Sequence, residues 1–198
     1  MRLLALSLFL ASISFALAQP KPLTAFQAVE VARREVNDEA KTKLVQIFGP
    51  RSSVAVMPVE WHVLFFDPYA QQNGTMVRVA GNTILSIQEG YTQMNRMRLA
   101  AYKLEEVIEP KTLKLDSSAV LQTLQRSTPL KNIKLTSIEM WLRKEDKAPG
   151  APGIWNVTLF AESAPDRQGK SKEVEIGKAR VSAETGQILT LNLNLKQL

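Results

Sequence analysis

The chain has no cysteine and one histidine, His62, in 198 residues. The first absence excludes a disulfide framework, a thiolate metal site, a cysteine nucleophile and a lipid-modified N-terminal cysteine. The second excludes an H-E-x-x-H zinc motif and leaves no evident triad partner for His62, which reads as a strand histidine with one polar tip. The 9 glycines form no phosphate cradle, since Gly150-Ala151-Pro152-Gly153 precedes neither a helix nor a Lys-Ser pair. The adjacent acidic pairs Asp38-Glu39 and Glu105-Glu106 diverge on a helix and share no proton as a catalytic dyad does. We therefore expect no catalytic residue, no cofactor and no metal. An enzyme would need a carboxylate cluster or a Ser/Lys pair assembled by the fold.

Long apolar runs are also missing beyond the N-terminus. Met1-Arg2, the apolar stretch Leu3 to Leu17 and Ala16-Leu17-Ala18 describe a secretory signal peptide over residues 1–18, with cleavage before Gln19. The stretch is shorter than the roughly 20 residues that span a bilayer, so the expectation is a secreted or periplasmic protein without a transmembrane segment. Export without cysteine fits a bacterial envelope better than a disulfide-stapled eukaryotic domain. Removal of residues 1–18 leaves 24 basic and 19 acidic groups. Residues 114–198 hold 13 basic against 9 acidic groups, a weak bias toward anionic partners. Nucleic acid is not expected, because Arg167, Lys170 and Lys172 lie in a turn without interleaved aromatics.

What the chain does contain is a repetition. Pro58-Val59-Glu60-Trp61-His62-Val63-Leu64-Phe65-Phe66 returns 94 positions later as Pro152-Gly153-Ile154-Trp155-Asn156-Val157-Thr158-Leu159-Phe160. Upstream, Thr24 with Gln27 forms a capping box before the stripe Ala25, Ala28, Val29, Ala32, and Asp116 caps Ser117, Val120, Leu121, Leu124 at an offset of 92. Downstream, Val77–Ile87 is a hairpin around Gly81-Asn82, and Ala179–Leu191 is its counterpart. The offsets grow only in loops, which indicates duplication.

The resulting expectation is an α+β fold of two repeats, 19–92 and 114–198, each one helix on an antiparallel sheet of about four strands. Ser53–Met57 and Ile133–Leu142 read as the strands before each tryptophan strand. Met94, Met97, Ala101, Leu104 and Ile108 predict a connecting helix over 93–113, ended by Pro110. Apolar residues on both faces of Trp61–Phe66 predict a strand covered on two sides, by the helix and by the neighbouring repeat. Trp61 and Trp155 read as core anchors rather than stacking aromatics. The sequons Asn73-Gly74-Thr75 and Asn156-Val157-Thr158 are not counted as sites.

Helix, tryptophan strand and the closing Val181-Ser182-Ala183-Glu184-Thr185-Gly186-Gln187-Ile188-Leu189 resemble PepSY-type domains. Ser182-Ala183 departs from the usual aspartate, and the first copy keeps only Gly81-Asn82 of the turn. The resemblance implies a cystatin-like fold and an exported, non-catalytic module of peptidase-inhibiting or envelope-sensing kind. Its motif consists of core and turn residues and speaks to fold more than to activity.

The leading functional expectation is a protein-interaction or regulatory module that binds a protein or peptide through sheet edges or loops. The second is a carrier of a small apolar ligand or lipid between helix and sheet. For recognition, Arg143 to Gly153 reads as a long hairpin loop confined to the second half, and Ala164 to Lys172 as a basic turn. The candidate partner-binding residues are Arg143, Lys144, Lys147, Arg167, Lys170 and Lys172.

Overall fold

Thr24 and Asp116 set where the two α-helices begin. Thr24 Oγ1 accepts from the Gln27 N–H at 3.4 Å while the Gln27 side chain accepts from the Thr24 N–H at 3.0 Å, and α1 follows over Ala25–Ala32. The Asp116 carboxylate accepts from the Ser117 N–H at 2.6 Å, opening α2 over Ser117–Arg126. The computed structural model describes residues 22–92, 96–196 and Leu198. The expected signal peptide lies outside the described residues. The remaining elements are mainly strands: β1 Leu44–Gly49, β2 Glu60–Phe66, β3 Gly74–Ala80, β4 Thr83–Glu89, β5 Leu135–Lys144, β6 Gly153–Glu162, β7 Glu173–Ser182 and β8 Ile188–Leu193.

These strands form one sheet in the order β4-β3-β2-β1-β5-β6-β7-β8, antiparallel throughout. That overturns the expected pair of helix-on-sheet repeats. The physical reason is the pairing of β1 with β5 through Gln46↔Arg143, Ile47↔Leu142, Phe48↔Trp141 and Gly49↔Met140. Two strands that would otherwise be open edges satisfy each other's backbone in one ladder. Strand β1 also replaces Ser53–Met57, which runs irregularly, as the partner of β2.

The expected connecting helix is absent as well. Among the described residues of 93–113 there are only two three-residue 3-10 turns, Leu104–Glu106 and Pro110–Thr112. Met94 lies outside the described residues, and Met97 and Leu104 are 57% and 62% exposed, so the supposed stripe buries only Ile108. Tyr102 is the other anchor of this extended crossover. Its ring lies on Gly74, where an added Cβ would meet Tyr102 Cδ2 at 2.4 Å. The Arg98 guanidinium stacks 3.6 Å from the ring centroid.

Both helices cover the same sheet face. Trp61, Val63, Phe65, Trp155, Val157 and Leu159 point into that layer and are at most 1% exposed. Each indole N–H donates to the chain just ahead of a helix, Trp61 to Leu23 O and Trp155 to Leu115 O, both at 2.9 Å. The helix N-termini meet as well: the Ala25 N–H donates to Ser117 Oγ at 3.0 Å and the Phe26 N–H to Asp116 Oδ1 at 3.1 Å. One carboxylate therefore serves two positive helix ends.

On the opposite face, Val45, Leu64 and Met76 form a small cluster under Tyr102. The second cover on β2 is thus the crossover, not a neighbouring repeat. Where the first half has Leu64 and Met76, β6 and β7 carry Thr158 and Lys178, which remain partly or fully exposed. Apolar residues appear on that face where chain covers them and polar ones where water does.

Candidate interaction surfaces

Register brings a row of side chains together on the face away from the helices. Arg143 and Trp141 come from β5, Gln46 and Phe48 from β1, Glu60 and His62 from β2, and Arg78 from β3. The Arg143 guanidinium lies 4.4 Å from the Trp141 ring centroid. Trp141 meets Phe48 edge to face at 6.2 Å and 71°, and Phe48 meets His62 at 5.5 Å and 72°. His62 Nε2 is 2.7 Å from Glu60 Oε1, which also accepts from Arg78 Nε at 2.8 Å. Burial pushes the Glu60 carboxyl up, but the hydrogen bonds from Arg78 and His62 outweigh it and hold the group below the usual carboxylate range. Farther along β5, burial pushes Glu139 up, partly offset by Lys178.

Beside this row is an open depression of about 510 Å³, lined by Gln46, Arg143, Lys144, Glu145, Asn156, Arg180 and Glu106. Its carboxylates are already engaged. Glu145 forms an ion pair with Arg180 and accepts from Asn156 Nδ2 at 3.0 Å. Glu106 accepts from Arg98 Nη2 at 3.0 Å and from the Lys103 N–H at 2.8 Å. Among the described residues, Arg143 and Lys144 form no ion pair.

The six residues singled out from sequence divide into two groups. Arg143 and Lys144 end β5 and line the depression, and Lys147 in the following connection pairs with Glu105 at 3.1 Å, holding that carboxyl below its usual range. Arg167, Lys170 and Lys172 lie in the connection after β6, at the opposite end of that ten-residue strand. At about 3.3 Å per residue the groups stand roughly 30 Å apart and form no common surface. That second turn closes on Asp166 Oδ1, which accepts from the Lys170 N–H at 3.0 Å and the Gln168 N–H at 2.8 Å. Nor is the long hairpin confined to the second half, because residues 50–59 join β1 to β2 just as 145–152 join β5 to β6.

The sheet leaves two edges, β4 and β8. The β4 edge is partly tied at its end, where Glu89 accepts from the Gln71 N–H at 3.1 Å. Strand β8 pairs only with β7, and its stretch Gly186–Leu195 contains no charged residue and no proline. Leu189 and Leu195 are 41% and 40% exposed. Sequence reasoning missed the Phe48–Trp141 row, because it depends on pairing between distant strands. Trp141-Leu142-Arg143 was its one local signal, placing an aromatic and a cation on one strand face.

Comparison with known protein families, with curated proteins and with solved structures gives no match to this chain.

Proposed function

We propose that this protein is an exported, non-catalytic interaction or regulatory module that accepts an extended partner segment along β8. The observation that carries the reading is the uncharged, proline-free edge from Gly186 to Leu195. Sheet edges are ordinarily guarded by charge, proline or a covering segment, and an unguarded one is a template for strand addition. The N-terminal leader pattern supports export, and the PepSY-like closing hairpin supports a regulatory role of peptidase-inhibiting or envelope-sensing kind. The helix–sheet interior is filled by Trp61, Trp155, Phe65 and Leu124, which favours surface recognition over an apolar carrier.

Native envelope extract should yield a partner whose cross-links to the protein map to β8. The double variant Asn192→Lys, Asn194→Lys should lose that partner while keeping the wild-type circular dichroism spectrum. A partner retained by the folded double variant, or a wild-type monomer without partner, refutes the proposal.

A further inference from the structure

We infer that the depression on the open sheet face is a receptor for a carboxylate, with Arg143 as its oriented donor and Lys144 as the second cation. The Arg143 guanidinium carbon lies 4.4 Å from the Trp141 ring centroid, so the cation packs against the aromatic face. A guanidinium presents its donors as a rigid fork that matches a carboxylate. No protein acceptor meets this fork among the described residues, and its Nε is buried without a partner. Trp141 Nε1, on the same strand face, is likewise a buried donor without a partner. Two unsatisfied donors side by side are unusual in a folded protein and mark a place where an external acceptor completes the bonding.

Charge selects the class of ligand. Glu145 is held by Arg180 and Asn156, and Glu106 by Arg98, so neither competes for Arg143. Lys144 reaches Glu105 and Glu109 only through space, as a minor influence on carboxyls held chiefly by Lys147 and Lys111. Arg143 and Lys144 thus offer positive charge toward the opening. With three cations, Arg143, Lys144 and Arg180, against two carboxylates, Glu106 and Glu145, the lining carries one net positive charge, which a single carboxylate balances. The site lies inward of the β8 edge and does not rest on partner binding there.

The test is a titration of the full chain, ¹⁵N-labelled, with the singly charged N-acetylglycine at low ionic strength. The Trp141 indole N–H resonance should shift saturably while those of Trp61 and Trp155 stay in place. Arg143→Gln should weaken the midpoint about tenfold or more and Lys144→Gln by less, with spectra that retain wild-type dispersion. Inorganic phosphate should bind more weakly. A blocked Gly-Glu-Gly tripeptide separates the sources: a tighter midpoint assigns the carboxylate to a peptide, an equal one to a free acid, and both support the site. The Asn192→Lys, Asn194→Lys variant should bind unchanged, so failure at β8 and failure here are separable. No saturable shift, a shift indifferent to Arg143→Gln, or phosphate binding as well as N-acetylglycine overturns the inference.

Discussion

Replacing Trp155 by alanine probes the packing of the sheet against both helices. The ring is 0% exposed, lies 6.4 Å from the Phe26 ring of α1, and donates to Leu115 O at 2.9 Å ahead of α2. Burying a tryptophan removes about 150–250 Å² from water, and at about 25 cal/mol per Å² this is worth roughly 4–6 kcal/mol. Alanine recovers part of that area but leaves a cavity, so the expected loss is about 3–5 kcal/mol. Trp155→Phe keeps most of the apolar contact and removes the hydrogen bond, for about 1–2 kcal/mol. Urea unfolding followed by far-UV circular dichroism measures both. For a chain of this length each kcal/mol lowers the melting temperature by about 2–4 °C. A loss below about 1 kcal/mol for Trp155→Ala would show that the ring is not an anchor, and equal losses for Ala and Phe would place the energy in the hydrogen bond.

Gly177→Ala should cost about 2–3 kcal/mol and speed hydrogen exchange in β8, because the new Cβ would sit 2.2 Å from Asn192 O at a backbone φ of +154°; unchanged exchange in β8 would contradict this. Asp116→Ala should cost about 1–2 kcal/mol, since it removes the cap of α2 and orphans the Phe26 N–H; a thermal melt identical to wild type would refute the shared cap. Glu60 is held below the usual range, so its contribution is present above its unfolded pKa of about 4.3 and is lost as pH falls through that value toward the folded one. Stability should therefore fall more steeply below about pH 4.3 in the wild type than in Glu60→Gln, and parallel curves would rule out the Arg78 and His62 bonding.

The parts of the fold legible in the sequence were those fixed by neighbours in the chain. The Thr24–Gln27 capping box, the Asp116 cap and the two-residue Gly81-Asn82 turn all follow from local hydrogen bonding and backbone freedom, and all are present. The burial of Trp61 and Trp155 was legible from their repeated apolar setting. The crossover was misread because methionine and leucine at helical spacing carry no information about what lies beneath them. Tyr102 and Ile108 decide its path, through contacts with Gly74 and a bond from the Ile108 N–H to Leu44 O. The β1–β5 seam was illegible for the same reason, since strand pairing across about a hundred residues leaves little local trace. Of the six candidate residues, Arg143 and Lys144 line the depression and Lys147 lies in the adjoining connection. Arg167, Lys170 and Lys172, chosen by charge and loop position alone, fall at the far end of the sheet.

The ladder between β1 and β5 also removes a degree of freedom. Two domains joined by a linker close on a ligand by hinge motion, but strands bonded across a seam cannot swing without breaking four register pairs. The recognition proposed at the open face and at β8 would therefore be that of a rigid template, with little ordering entropy lost on its side of a complex. A partner there would bring the flexibility. A ligand here should signal by occupying the surface, and tighter binding should be achieved mainly by slower release.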